Sequence, residues 1–132
     1  MNLFVYGTLL VPEILEAVTR MNNLNSVSGM LSGYRIYRVE GGDFPGISKG
    51  DGSVPGRVLL NVPELAMIRL DAYEDTFYVR ETVEIETDSG LKSAFAYTVP
   101  SEIAASVLSD ETWTLDWFQQ EALTHYWARL FQ

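Results

Sequence analysis

The chain predicts an α+β fold, a small mixed and mostly antiparallel β-barrel with flanking helices. Three observations lead there. Its 132 residues are 47% apolar with no cysteine, which suits a single domain (1–132) that buries its core without disulfides. Segments of strand-like alternation and of helical spacing succeed one another in the order β-α-β-β-α-β-β-α-α. Glycine, proline and asparagine punctuate them at short intervals, so neighbouring strands pair locally and the helices cover the outside.

Leu3 to Tyr6 reads as a short buried strand. Pro12 suits the first turn of a helix, where its missing N–H costs nothing, and Ile14, Val18 and Met21 follow at helical spacing over 12–21. "NNLNS" breaks that helix, and residues 29–39 alternate as a strand. Residues 40–56 are studded with glycine and carry Pro45 and Pro55, which predicts a long loop and a candidate lid. "RVLLNV" is a strand at 57–62, and Pro63 opens a second helix to about Asp75. Strands at 79–87 and 92–99 flank a hairpin turn at Ser89-Gly90. "SEIAASVL" is a short helix, and 112–131 the last one, with Leu115, Phe118, Ala122 and Tyr126 along one face.

Composition excludes several classes of function. The formal net charge is −9, with the nine Lys and Arg residues scattered singly, so nucleic acid is not an expected partner. No run approaches the ~18 apolar residues of a membrane span, and no basic, apolar leader opens the chain. A soluble, cytoplasmic protein is expected, and the absence of cysteine agrees with a reducing compartment.

The chemical inventory is narrow. His125 is the single histidine and has no cysteine beside it, so no metal site is expected, and His125 reads as a packing or surface residue. No serine sits in a nucleophile elbow, and Gly50-Asp51-Gly52 lacks phosphate-loop spacing. What remains is acid–base work by a carboxylate. On an ideal helix Glu74 lies one turn past Leu70 and two past Met67, at the edge of an apolar face and near the helix's C-terminal end. Desolvation and the negative end of the helix dipole would both favour its protonated form. The alternative is a solvated acid in the last turn. At the start of the chain, Tyr6-Gly7-Thr8 would present bare backbone N–H groups to an anion, or form a plain strand-to-helix turn.

Four stretches, "FVYGTL", "FPGI", "VPGRV" and "LDAYEDTFYVRETVEI", occur in order between residues 4 and 85. Together they resemble the gamma-glutamylcyclotransferase-like superfamily, closest to its gamma-glutamylamine cyclotransferase and avirulence-induced-gene-like branch. The resemblance implies a β-barrel with a cavity at one end. It also implies cofactor-free closure of a γ-glutamyl amine, amide or short peptide to 5-oxoproline, with release of the amine. It maps substrate binding onto Tyr6, Gly7, Thr8, Leu9 and Tyr78, and proton transfer onto Glu74. Asp75 is a departure, since glycine commonly follows the family's glutamate.

The second reading is a non-catalytic module on the same fold that binds a small carboxylate ligand or a partner. Arg80 could meet a substrate carboxylate or, beside Glu81 and Glu84, form a surface ion pair. Trp113, Trp117 and Trp127 read as core or interface aromatics. Trp113 and Trp117, one helical turn apart, would favour a homodimer if exposed.

Overall fold

The computed structural model describes residues 1–131. Five strands close into a barrel in the order β1-β3-β2-β4-β5, where β1 is Leu3–Val5, β2 Ser26–Arg38, β3 Pro45–Leu59, β4 Val79–Thr87 and β5 Gly90–Thr98. Every pairing is antiparallel except β1 with β5, where Leu3 meets Phe95 in parallel and closes the ring. Helices α1 (Pro12–Thr19), α2 (Glu64–Tyr73) and α3 (Ser101–Val107) lie between strands and after β5. The C-terminal helix runs through α4 (Leu115–Trp117), a π turn (Phe118–Ala122) and α5 (Leu123–Leu130). Both the element order and the barrel agree with the sequence reading.

Alternation sorts the core into two compartments. Phe4, Leu31, Ile47, Val58, Val83 and Ala96 come from all five strands and fill the barrel's interior. Leu3 and Val5 point the other way and pack with Ile14, Met67, Leu70 and Phe118 from the helices. Burying a residue such as Phe118, which is 0% exposed, contributes on the order of 2–3 kcal/mol.

The largest correction concerns residues 40–56. The chain turns at 40–44, but Pro45 onward is strand, paired with β2 from Arg38↔Pro45 to Ser26↔Leu59. It is not a loop and not a lid. Over 45–56, among the described residues, β3 is laddered to β2 alone, because β1 meets it at Arg57, Val58 and Leu59, and the other edge accepts the Val99 N–H on Ile47 O at 2.8 Å. One side of this stretch therefore needs no ladder N–H, and prolines fit there. Gly56 is required for a different reason: a Cβ on it would come within 2.3 Å of the Val5 carbonyl oxygen.

Smaller corrections follow the same logic. β2 begins at Ser26 rather than 29, and the β4–β5 turn is Asp88-Ser89, since Thr87 pairs with Gly90. Trp113 precedes the last helix and is buried, its Nε1 donating to the Asp43 carbonyl oxygen at 2.8 Å. It therefore shares no exposed face with Trp117, whose ring lies 4.6 Å beneath the Arg38 guanidinium. No helix among the described residues is long and apolar enough to cross a membrane.

Candidate active site

The chain leaves β1 at Val5, and Tyr6 is still buried, its hydroxyl donating to the Tyr97 carbonyl oxygen at 2.6 Å. Gly7 then caps a 3₁₀ turn over Thr8–Leu10, with Leu10 N–H donating back to Gly7 O at 2.9 Å. The first residues of such a turn have no carbonyl behind them to bond, so their N–H groups stay available. Gly7 is fixed by packing. A Cβ there would stand 2.7 Å from the Pro45 Cγ. The space that a glycine opens to a ligand is thus partly taken by the proline ring of "FPGI".

α2 delivers Glu74. The helix ends at Tyr73, and Glu74 is its C-cap, with extended backbone (φ −78°, ψ 144°) and its N–H on Leu70 O. The residue is half-buried in the wall of a cavity at one end of the barrel. Tyr6, Gly7, Thr8, Leu9 and Tyr78 line the same cavity, so the structure brings together all six residues that the sequence singles out. Burial pushes the Glu74 carboxyl up, and the neighbouring charges of Asp75 and Asp71 add to this, to about 8. Asp75 also lines the cavity, and no basic side chain does among the described residues.

Around Glu74 stand five tyrosines, of which sequence reasoning assigns only Tyr6 and Tyr78 to the site. Tyr78 donates to the Pro45 carbonyl oxygen at 2.5 Å. Tyr97 donates to Asp71 Oδ1 at 2.6 Å, and Arg80 Nη1 donates to both oxygens of the same carboxylate at 3.0 and 2.9 Å. Tyr73 bonds Thr8 Oγ1 at 2.6 Å and, by its hydroxyl, the hydroxyl of Tyr126. Burial raises every one of the five phenols, and the nearby Glu74 charge raises each further. They are neutral hydroxyls at any physiological pH, and none of the bonds just named uses the Glu74 carboxylate.

Arg80 is an ion-pairing residue, although its partner is Asp71 rather than a strand glutamate, and its guanidinium also covers the Phe95 ring at 4.9 Å. His125 is exposed, and among the described residues no three His, Asp or Glu side chains gather closely enough to hold a metal ion. Sequence reasoning misses Tyr73, Tyr97 and Tyr126 because a tyrosine at a core position of a helix or strand reads as packing. The adjacency of Tyr73 to Glu74 is the one signal that points to it.

Comparisons with known proteins agree with this architecture. The family model described as gamma-glutamyl cyclotransferase, AIG2-like, matches residues 3–115. AIG2-like protein C of Arabidopsis thaliana is 38% identical over 86 residues, 64% of this chain and 49% of that protein, so the chain spans about half the relative's length. The solution structure of another Arabidopsis thaliana protein superposes with a TM-score of 0.72 at 24% identity, over 98% of this chain and 78% of that one. A structure described as gamma-glutamyl cyclotransferase gives a TM-score of 0.59 at 16% identity, over 74% of this chain and 65% of that one. Likeness at these identities speaks for the fold and leaves the chemistry to the site. With the barrel and all four sequence motifs inside the matched span, the chain belongs to the gamma-glutamyl cyclotransferase, AIG2-like family.

Proposed function

We propose that this protein closes a γ-glutamyl amine, amide or short peptide to 5-oxoproline and releases the amine, with Glu74 as general acid and base. The observation that carries the reading is the setting of Glu74. A half-buried carboxyl, pushed up to about 8, shares a cavity with the strand-to-turn loop of Gly7, Thr8 and Leu9, whose first N–H groups have no carbonyl within the turn to bond.

The substrate supplies its own nucleophile. Its α-ammonium gives a proton to the Glu74 carboxylate, and the freed nitrogen attacks the γ-carbonyl carbon to form a tetrahedral oxyanion. Collapse breaks the bond to the departing nitrogen. Two hydrogens pass from the α-nitrogen to the leaving amine in all, and Glu74 carries each in turn. No water is consumed, and no group on the protein is acylated. A flexible chain held in its folded conformer already reacts with high effective molarity. Proton shuttling adds typically ~10²–10⁴-fold, and N–H groups of the 7–9 loop aimed at the oxyanion or the α-carboxylate add to that.

The raised carboxyl suits both roles. In the free protein near neutral pH it favours its protonated form. An arriving α-ammonium favours the ionised form through its own charge, and gain of that proton restores a carboxylic acid able to donate. The neutral phenols around it are bonded to protein partners and leave the proton balance alone.

The test is turnover of a panel of γ-glutamyl amines, amides and amino acids, including γ-glutamyl-ε-lysine, by wild type and Glu74→Gln, with 5-oxoproline as the readout. The expected result is product from wild type and a loss of about a hundredfold or more in the variant. Absence of product from every conjugate, with both proteins folded, would overturn the reading and leave the cavity as a binding site for a small carboxylate.

A further inference from the structure

The family match ends at residue 115, yet the cavity does not. Tyr126, eleven residues beyond that span, lines it from the C-terminal helix. Three hydroxyls from three separate elements meet there. Thr8 comes from the loop after β1, Tyr73 from the last residue of α2, directly before Glu74, and Tyr126 from α5.

The C-terminal helix is shaped to make this meeting. Eight residues of straight α-helix separate side chains by roughly 80° beyond two full turns, so Phe118 and Tyr126 would not share a line. The π turn over Phe118–Ala122 absorbs an extra residue and brings them back together. Phe118 is fully buried, and Tyr126 packs edge-on against it at 5.2 Å between ring centres. The helix's far end is tied down as well, with Arg129 Nη2 2.8 Å from Asp43 Oδ2. Asp43 leads directly into Phe44 and Pro45, which line the cavity.

We propose that Tyr126 is a positioning residue of the site, acting through Tyr73 and Thr8 to hold the 7–9 loop in its ligand-binding form. The C-terminal helix is then part of the active site rather than an appendage outside the family's common span. The inference rests on reading the cavity as the γ-glutamyl site. Its physical content is that Tyr126 fixes the Tyr73 hydroxyl, and Tyr73 fixes the Thr8 side chain within the loop whose N–H groups meet the ligand. Loosening that chain weakens ligand binding more than it slows the proton transfers at Glu74.

A double-mutant cycle tests it, using Tyr126→Phe, Tyr73→Phe and the pair, each measured for KM and kcat on the best conjugate, for 5-oxoproline binding by calorimetry, and for Tm. Tyr126→Phe is expected to raise KM and the 5-oxoproline Kd about 3- to 10-fold, as for one lost hydrogen bond, with kcat within about threefold of wild type. Because both residues act in one chain, the pair should be no worse than the weaker-binding single variant. Additive effects, or binding unchanged whatever happens to Tm, would make Tyr126 a structural residue only and overturn the proposal while the cyclisation reading stands. A wild type that neither forms nor binds 5-oxoproline overturns both.

Discussion

The Pro45 ring fills the place that a side chain on Gly7 would need, its Cγ lying 2.7 Å and its Cδ 3.0 Å from a Cβ built there. Both residues line the cavity, and the Pro45 carbonyl oxygen also accepts the Tyr78 hydroxyl. "YGT" and "FPGI" are thus one packing unit, although Gly7 and Pro45 stand 38 positions apart in the chain.

Gly7→Ala is therefore expected to act as an overpacking change, costing about 1–3 kcal/mol and lowering Tm by roughly 3–10 °C. It should also weaken 5-oxoproline binding, because the loop must shift away from Pro45. Pairing it with Pro45→Ala makes room for the added methyl, so the double variant should recover part of the loss that Gly7→Ala causes. Thermal melts of the four proteins check this. Strict additivity would mean that the contact does not set the loop's position.

Legibility in the sequence follows how local each cause is. β4 can be read at its observed bounds because Val83 and Ile85 alternate with charged neighbours, a pattern that a half-buried strand needs. Residues 45–56 mislead because their glycines and prolines answer tertiary neighbours, such as Val5 against Gly56, which no local pattern reveals. Helical spacing runs the second helix on to about Asp75 and leaves a solvated acid open, whereas α2 ends at Tyr73 and Glu74 follows as its extended C-cap. Glu74 is legible instead from the family motif in "LDAYED". Its neighbours in the cavity are less so. Tyr126 meets Tyr73 across 53 positions, and the π turn that aims it leaves no mark in the apolar spacing of the helix.

The stability of the protein should fall as pH rises through the window that Glu74 defines. The folded protein keeps the Glu74 proton to about pH 8, whereas an unfolded chain releases it near 4.5. Between those values the folded state binds more protons, so raising the pH favours unfolding. Once Glu74 is ionised the cost is on the order of 3–5 kcal/mol, reduced by whatever solvent reaches this half-buried group. Glu74→Gln removes the titration. Its Tm relative to wild type should be higher at pH 8.5 than at pH 5, and a constant difference across that range would show that Glu74 is not displaced.

Asp71 and Arg80 should set where the activity rises with pH, in opposite directions. The Asp71 charge adds to the upward push on Glu74, and it is held in place by the Tyr97 hydroxyl at 2.6 Å and Arg80 Nη1 at 2.9 Å. Asp71→Asn removes that charge and keeps an oxygen to accept from Tyr97. Glu74 then ionises at lower pH, and the rise of kcat/KM should follow by roughly a few tenths of a pH unit. Arg80→Gln takes away a cation from the same cluster, so the rise should move to higher pH by a similar amount. The pair is partly exposed, so both displacements should shrink in about 0.5 M salt. Profiles of wild type and the two variants at low and high salt check this. A profile that Asp71→Asn leaves in place would remove Asp71 from the tuning of Glu74, and burial with Asp75 would then account for the raised carboxyl.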